Sequence, residues 1–426
     1  MSEPDSWLLV RADSPFPMEN LPFGIASTPG GAPGAVVAIG DHALALAVLA
    51  DAGMLDGIGV GRGVFAEETL NRFLGLGRDA WQATRARLTE LLIDRSMRER
   101  VLPALVSRAT LSMRLPIAIG DYVDFYSSIH HATNLGRLFR PDDEPLLPSW
   151  RRLPMGYHGR SGTVIASDET VFRPSGLVPV DGEPVYQPSS ALDLELEVGF
   201  VVGFGNARGA PIPIGDTAEH LFGACIVNDW SARDIQAYEY QPLGPFLGKS
   251  FATSMSHWIV TLDALEPYRV AQPEQIPAVE PYLVSREPWG FDLELEAWIQ
   301  SGAMRLAGMP AVRVSATRFA DMYWTPAQQL AHITANGAST RPGDLLASGT
   351  VSGPDRGTEG SLIEATWRGE RPIDLPDGTT RTFLLDGDRV VLRGWAGGDG
   401  RPRIGLGEVV GRVVGTVVPH CTEERG

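Results

Sequence analysis

Short segments with a two-residue hydrophobic period, separated by turn residues, are the strongest constraint on how this chain folds. Leu192–Phe200 and Phe291–Ile299 alternate acidic and apolar residues, and Asp388–Arg393 and Gly411–Val418 are β-branched runs bounded by glycines. Successive side chains of a strand point to opposite faces of a sheet, so this period predicts strands. The 48 glycines and 33 prolines among 426 residues favour short strands joined by tight turns over a helical bundle.

The first 115 or so residues have a different pattern from the rest. Ser6–Val10 and Ala35–Ile39 are predicted to be strands, and Ala66–Leu105 contains most of the residues with helical spacing. Helices are fewer after this region, and we predict three of them, at about Ala218–Cys225, Ser231–Tyr238 and Ala327–Asn336.

A boundary between the two regions is expected near residue 117, because Pro116 and the break before Asp121 interrupt the pattern. We therefore predict two domains, 1–117 and 118–426. The fold class is mainly β (α+β), and the larger domain is predicted to be a mainly antiparallel β-sandwich or roll.

Charge and cysteine content exclude several classes of function. The net charge of −16 provides no basic surface for nucleic acid or anionic membranes, and the longest apolar stretch, Ala43–Ala50, is too short to span a bilayer. Cys225 and Cys421 form no disulfide framework, and no charged-then-apolar leader opens the sequence, so we expect a reduced, cytoplasmic protein. No P-loop, dinucleotide fingerprint, serine-nucleophile elbow or zinc-peptidase motif is complete.

The strongest local pattern is the acidic row Asp193, Glu195 and Glu197. Residues two apart in a strand share a face, so the three carboxylates are predicted to point the same way and to repel unless a cation lies among them. An exposed polar face is the alternative, and we prefer it for the similar row Asp292, Glu294 and Glu296, which has no supporting context.

Further oxygen donors support a cation site for the first row. Asp121 and Asp124 lie together in one polar cluster, and Asn228 and Asp229 lie in another. Hard oxygen ligands from separate segments favour Ca²⁺ or Mg²⁺, whereas the lack of thiols and of spaced histidines disfavours zinc.

Two other features suggest catalysis. His130 and His131 follow the first acidic cluster, and either could act as a general base by this reasoning alone. Lys249 is the only lysine among 36 basic residues, which suggests a site that needs a compact ammonium charge.

These segments together resemble the fumarylacetoacetase family. The resemblance covers most of the chain, in order, at Ser6–Gly24, Asp121–Arg140, Pro154–Gly159, Leu192–Glu197, Asn228–Ser250, Met322–Thr325, Arg341–Gly353 and Phe383–Asp388. It implies a small SH3-like N-terminal domain, a large mixed β-sandwich roll and a homodimer. It also implies hydrolysis of the carbon–carbon bond of 4-fumarylacetoacetate to fumarate and acetoacetate, the last step of tyrosine breakdown.

The resemblance also implies roles for individual residues. The Ca²⁺ ligands would be Asp124, Glu195, Glu197 and Asp229. A second, structural Mg²⁺ would be associated with Asp229, Lys249 and Thr253. His131 would be the general base and Glu364 its partner, with the oxyanion stabilised by Arg233, Gln236 and Lys249. Substrate contacts would come from Tyr126, Arg140, Tyr157, Gln236, Tyr240 and Thr350.

Two alternatives remain. Another enzyme of the same superfamily, an acylpyruvate hydrolase or a β-keto acid decarboxylase, would keep the acidic metal ligands but usually lacks the long N-terminal domain. A binding or structural protein could hold Ca²⁺ without chemistry, although the presence of both His131 and Glu364 argues against this.

Overall fold

The computed structural model of the chain describes residues 6–398 and 400–416. The N-terminal region contains an antiparallel sheet in the order β4-β3-β2-β1-β5. Its strands are β1 Phe23–Ser27, β2 Pro33–Ile39, β3 His42–Ala45, β4 Leu105–Ser107 and β5 Ser112–Arg114. Its α-helices are α1 Leu46–Asp51, α2 Asn71–Leu74, α3 Arg78–Ile93 and α4 Arg98–Val101.

The rest of the chain is richer in strands. They are β6 Tyr122–Phe125, β7 Gly156–His158, β8 Val164–Ala166, β9 Thr170–Phe172, β10 Ser175–Val180, β11 Glu183–Pro188, β12 Leu192–Asp193, β13 Leu196–Val202, β14 Leu221–Asp229, β15 Ser231–Ala232, β16 Thr253–Met255, β17 Val260–Thr261, β18 Arg269–Val270, β19 Gly290–Phe291, β20 Leu293–Gln300, β21 Val312–Arg318, β22 Leu345–Ala347, β23 Ile373–Asp374, β24 Thr380–Arg381, β25 Arg389–Gly398 and β26 Arg401–Val414.

Helices in this part are short connections between strands. The α-helices are α5 Ile129–Phe139, α6 Thr217–His220, α7 Arg233–Glu239, α8 Leu262–Leu265, α9 Gly302–Leu306, α10 Pro326–Thr334 and α11 Leu362–Ala365. Short 3₁₀ helices along the chain are Arg62–Ala66, Arg95–Met97, Leu102–Ala104, Arg108–Thr110, Ser161–Thr163, Ile214–Asp216, Glu266–Tyr268, Pro281–Leu283 and Phe319–Asp321.

Two large sheets form the C-terminal architecture. The eight-stranded sheet runs β7-β6-β22-β13-β14-β16-β8, with β17 also paired to β14, and the five-stranded sheet runs β21-β20-β25-β26-β9. Most neighbours are antiparallel, while β22 with β6, β16 with β8, and β26 with β9 are parallel. Four two-stranded sheets, β10-β11, β12-β15, β18-β19 and β23-β24, complete the topology. The predicted fold class, a small N-terminal β region followed by a large mixed β-sandwich, is confirmed.

The eight-stranded sheet is buried on both faces, and the alternation along β13 and β14 shows how. Val198 and Ile226 point into the core between the two large sheets. Val201 and Val227 point to the opposite face, where they join the core of the N-terminal region. Because β13 and β14 are covered on both sides, their sequences are almost continuously apolar apart from the acidic residues at one end.

Two element predictions are wrong. Ser6–Val10 forms no strand, because its backbone and side chains bond to α3 instead: Trp7 donates to the carbonyls of Leu91 and Leu92. The helix predicted at Ala218–Cys225 ends at His220, and the apolar residues after it form β14, which pairs with β13, β16 and β17. Tertiary pairing thus overrides the local preference.

Most other element predictions agree with the structure over the described residues, but the predicted strand Leu192–Phe200 is interrupted between β12 and β13, and α5 is not among the three predicted helices. β2 includes Ala35–Ile39, α7 lies near the predicted Ser231–Tyr238, and α10 lies near the predicted Ala327–Asn336. Cys421 and the end of the predicted strand Gly411–Val418 lie outside the described residues. No helix within 6–398 and 400–416 has both the length and the apolar character needed to cross a membrane.

Phe222 joins the N-terminal region to the sheet through ring contacts with Phe23, Phe73 and Trp81, at centroid distances of 5.5, 6.0 and 5.2 Å. We expect Phe222→Ala to lower the free energy of unfolding in urea by about 3–5 kcal/mol, because it leaves a cavity between them. Phe172→Ala, at a ring that is 53% exposed, is the matched control and should change stability by less than about 1 kcal/mol. If both variants lower the free energy of unfolding equally, the ring contacts of Phe222 do not hold the N-terminal region against the sheet.

Candidate metal centre and catalytic cavity

Strand register brings acidic side chains to one face of the eight-stranded sheet. Ala347 of β22 lies in register with Asp124 of β6 and with Gly199 of β13. Glu197, two residues before Gly199, therefore shares the face of Asp124. Asp229 lies two residues beyond the register partner of Glu197 on β14 and has the same orientation. The sheet itself thus assembles three carboxylates that are distant in sequence.

Glu195 completes this cluster from the irregular segment between β12 and β13. Ligand oxygens of Asp124, Glu195, Glu197 and Asp229 all lie within 4.8 Å of one another, and all four residues are buried. Asp193, which the alternation placed in the same row, does not join them, because the strand breaks after it. The carboxylate of Asp193 instead forms an ion pair with Arg233.

The cluster has the properties of a cation site. Asp124 Oδ1 and Glu197 Oε1 are buried and have no hydrogen-bond partner in the described part of the chain, so both are available to a ligated ion. Burial and the neighbouring carboxylates raise the pKa of Asp124 and of Glu197 well above the ordinary values, which means that these groups lack sufficient positive charge nearby. Oxygen donors alone suit a hard divalent cation.

Lys249 and Arg233 supply positive charge on the other side of Glu195. Lys249 Nζ donates to Glu195 Oε2 and, at 2.8 Å, to Asp229 Oδ2, while Arg233 Nη2 lies 2.8 Å from Glu195 Oε1. Although burial alone would raise it, these two cations lower the pKa of Glu195 to about 2. Burial would lower the pKa of Lys249, but Asp229 and Glu195 outweigh it and raise that pKa. The only lysine is therefore a buried, protonated counter-charge.

The residues predicted for a second ion site lie close together. Thr253 donates to Asp229 Oδ1 at 2.6 Å, and Tyr157 donates to Asp229 Oδ2 at 3.2 Å, so Asp229 and Thr253 do lie together. Lys249 lies beside them, but a protonated ammonium has no lone pair for a metal. The side chain of Lys249 is a neighbour of this position and does not fit as a ligand.

The helix α5 positions the candidate base. Ser128 caps its N-terminus by accepting a hydrogen bond from the His131 amide at 3.2 Å, and His131 lies on the buried face of the helix. His131 Nδ1 is 2.6 Å from Glu364 Oε2, whereas His130 is only partly buried and does not line the cavity. The structure thereby distinguishes the two histidines. A proton on Nδ1, shared with Glu364, leaves Nε2 as the basic nitrogen.

Glu364 is held by several other donors. Asn134 donates to its Oε1 at 3.0 Å, while Ser352 and Ser361 donate to its Oε2 at 3.0 and 2.7 Å. Burial would raise the pKa of Glu364, but His131 and these hydrogen bonds lower it, so the carboxylate stays ionised beside the imidazole. The sequence patterns missed Asn134, Ser352 and Ser361. The spacing from Ser128 to His131, typical of a helix N-cap, could have indicated α5.

A cavity of about 310 Å³ adjoins the cluster and the imidazole. Its wall includes Asp124, Glu195, Glu197, His131 and Lys249 together with apolar residues such as Phe125, Leu135 and Trp150. All six predicted substrate contacts also line it: Tyr126, Arg140, Tyr157, Gln236, Tyr240 and Thr350. Arg233 and Glu364 lie behind this wall, where they contact Glu195 and His131. Asp229 and Thr253 do not line this cavity; they line a second one, which shares Tyr157 and Lys249 with the first. The fold therefore gathers the predicted residues around two adjoining cavities.

Two family descriptions match the sequence of this chain. The family described as "Fumarylacetoacetase N-terminal" matches residues 19–116, and the family described as "Fumarylacetoacetate (FAA) hydrolase C-terminal" matches residues 122–414. The chain belongs to the fumarylacetoacetase family.

Relatives in this family are similar along their whole length. The protein named fumarylacetoacetase from Rattus norvegicus is 47% identical, over 97% of this chain and 100% of that protein. The Homo sapiens fumarylacetoacetase is 46% identical over the same shares, and the Oryza sativa subsp. japonica fumarylacetoacetase is 45% identical over 96% and 97%.

A solved structure shares the fold of this family. The fumarylacetoacetate hydrolase from psychrophilic Exiguobacterium antarcticum superimposes with a TM-score of 0.50 at 14% identity, over 93% of this chain and 99% of that chain. A putative HpcE protein from Mycobacterium smegmatis gives the same TM-score at 19% identity, over 92% and 99%. At these identities the similarity concerns the fold alone.

Glu197→Gln tests the cation site of this fumarylacetoacetase-family chain. We expect its affinity for Ca²⁺, Mg²⁺ or Mn²⁺ to fall by about 100-fold or more in isothermal titration calorimetry, because a ligand charge is lost. The metal-free variant should be at least as stable as the wild type, since one repulsive charge is removed. Glu294→Gln, an exposed residue in the similar row, should leave affinity unchanged. Equal affinities for both variants would exclude Glu197 as a ligand.

Proposed function

We propose that this chain hydrolyses 4-fumarylacetoacetate, breaking a carbon–carbon bond to give fumarate and acetoacetate in tyrosine and phenylalanine catabolism. One observation carries the proposal: the buried four-carboxylate cluster and the His131–Glu364 pair adjoin the same cavity. The relatives named fumarylacetoacetase support it, since they match nearly the whole chain.

Asp124, Glu195, Glu197 and Asp229 would hold the active-site cation, which we propose to be Ca²⁺. When bound, the ion polarises the carbonyl oxygens of the β-diketone and stabilises negative charge on them. The oxygen-only donor set and the two partnerless oxygens support this assignment. Mg²⁺ is proposed as an alternative or structural ion near Asp229 and Thr253.

His131 acts as the general base. Its Nε2 takes a proton from water, and the water oxygen forms a bond to the substrate carbonyl carbon next to the bond that breaks. Glu364 orients the ring and stabilises the imidazolium through the 2.6 Å contact with Nδ1. When the carbon–carbon bond breaks, its electron pair leaves with the acetoacetate carbon, which then receives the proton from His131.

Arg233, Gln236 and Lys249 stabilise the oxyanion formed in the attack. Gln236 and Lys249 line the cavity, and Arg233 Nη1 donates to Gln236 Oε1 at 3.2 Å, which fixes the orientation of that amide. Donors held in place before the reaction contribute about 3–4 kcal/mol each to transition-state stabilisation.

Substrate binding is assigned to the remaining polar residues of the cavity wall. Arg140 Nη2 donates to the Pro145 carbonyl at 3.1 Å, whereas its buried Nε has no hydrogen-bond partner among the described residues and is a candidate donor to a substrate carboxylate. Thr350 likewise has a buried hydroxyl without a partner. Tyr126, Tyr157, Gln236 and Tyr240 complete this set.

The wider organisation is also part of the proposal. We propose two domains, the SH3-like residues 1–117 and the catalytic residues 118–426, assembled as a cytoplasmic homodimer. The acidic composition, without a basic surface for nucleic acid, supports a small-molecule substrate as the main partner.

A spectrophotometric assay tests the function directly. We expect fumarylacetoacetate to be consumed with formation of fumarate and acetoacetate, activity to be lost on chelation, and activity to return with one of Ca²⁺, Mg²⁺ or Mn²⁺. Turnover of simple acylpyruvates or decarboxylation of β-keto acids, without turnover of fumarylacetoacetate, would favour another enzyme of the superfamily. Cation binding without any turnover would favour a binding protein.

His131→Asn tests the proposed base. We expect kcat to fall by about 10²–10⁴-fold while the affinity for the divalent cation is kept, because the ring is not among the four carboxylate ligands. His130→Asn is the matched control and should retain activity, since that ring does not line the cavity. Unchanged kcat in His131→Asn would remove the imidazole from the mechanism.

A further inference from the structure

Asp193 is a fully buried carboxylate just outside the cavity wall. It lies on β12, which pairs with β15, immediately before the helix α7 that carries Arg233. Its position within the acidic row suggested a metal ligand, but its oxygens are already used by protein donors. The identity of those donors indicates the role of this buried charge.

All of the hydrogen-bond partners of Asp193 are donors. Its Oδ1 accepts from the amides of Leu194 at 2.8 Å and Leu362 at 2.7 Å. Its Oδ2 accepts from the amide of Ile363 at 3.0 Å and from Arg233 Nε at 2.8 Å. Four donors on two oxygens require an ionised carboxylate, since every partner offers a hydrogen and none accepts one.

Through these donors Asp193 is connected to two groups of the proposed catalytic machinery. Arg233 extends beyond Asp193 to Glu195, with Nη2 2.8 Å from Oε1, and to Gln236. Leu362 and Ile363 open the short helix α11, whose next residue is Glu364, the partner of His131. A single carboxylate thus holds the guanidinium beside one metal ligand and, through α11, the carboxylate that orients the base.

We propose that Asp193 is a positioning residue for catalysis, which fixes Arg233 and the Glu364–His131 pair relative to each other. This inference rests on the proposed function, because its kinetic consequence is expressed in fumarylacetoacetate hydrolysis. Asp193 does not line the cavity, so it acts through the residues that it holds and not by contact with substrate.

Asp193→Asn tests this role with almost no change of volume. In either orientation the asparagine amide places its NH₂ group against two hydrogen-bond donors. The two hydrogen bonds accepted at that position are therefore lost. With cation and substrate both saturating, we expect kcat to fall by about 100-fold, as misplacement of catalytic groups commonly does. KM should change less than kcat, because Arg140 and Tyr240 at the cavity wall are untouched and only Gln236 is reached through Arg233.

Asp388→Asn is the matched control. Asp388 is also fully buried, forms ion pairs with Arg381 at 2.7 and 2.8 Å, and accepts from the Leu385 amide at 2.9 Å, but it is not in the cavity wall. Loss of these contacts of Asp388 should lower thermal stability while leaving kcat unchanged. A kcat for Asp193→Asn close to that of the wild type would overturn the inference, as would equal losses of kcat in both variants.

A double-mutant cycle separates positioning from general damage. If Asp193 acts through Glu364, the loss of kcat in D193N/E364Q should be at least about 10-fold smaller than the product of the two single losses. Losses that multiply would overturn the inference.

A crystal structure of D193N gives a readout that does not depend on turnover. We expect Arg233 to leave Glu195, or the His131 Nδ1–Glu364 Oε2 contact to lengthen, and unmoved side chains would overturn the inference. A wild-type protein that forms no fumarate would instead overturn the proposed function, and this crystal structure would still decide whether Asp193 positions the two groups.

Discussion

The mutual repulsion of four buried carboxylates is the constraint on which the site depends. Two unit charges about 4 Å apart repel by about 4 kcal/mol at an effective dielectric constant near 20, and Asp124, Glu195, Glu197 and Asp229 lie within such distances of one another. Within this cluster, Lys249 and Arg233 form ion pairs with Glu195 and Asp229. Among the described residues neither Asp124 nor Glu197 is in an ion pair, and burial with the neighbouring carboxylates raises the pKa of both, so the fold itself creates the demand for a cation.

The rigidity of the eight-stranded sheet makes this arrangement possible. Its strands are covered on one face by the five-stranded sheet and on the other by the N-terminal region, so the register that aligns Asp124, Glu197 and Asp229 cannot slip without exposing a core. His131 and Glu364 come from the helices α5 and α11, which contact each other. Helix α5 needs Gly136 in this packing, because a Cβ there would lie 2.0 Å from the Pro145 carbonyl oxygen.

Many features of the fold and of the site could be predicted because they depend on the local sequence pattern. The two-residue period of Leu192–Phe200 gave Glu195 and Glu197 a common face, and the resemblance to the family indicated the other ligands. Local pattern failed where distant contacts decide: the break after Asp193 and the conversion of Leu221–Cys225 from predicted helix to strand both depend on pairing between segments. The local residues alone did not distinguish His131 from His130; the resemblance to the family indicated His131, and its contact with Glu364, 233 residues away, agrees with this.

The most direct measurement of the central claim is anomalous X-ray diffraction from crystals of the active enzyme soaked with Mn²⁺. The account predicts a strong anomalous peak among the oxygens of Asp124, Glu195, Glu197 and Asp229. A fully active enzyme that shows no anomalous density between these carboxylates, or only a peak elsewhere, would contradict it.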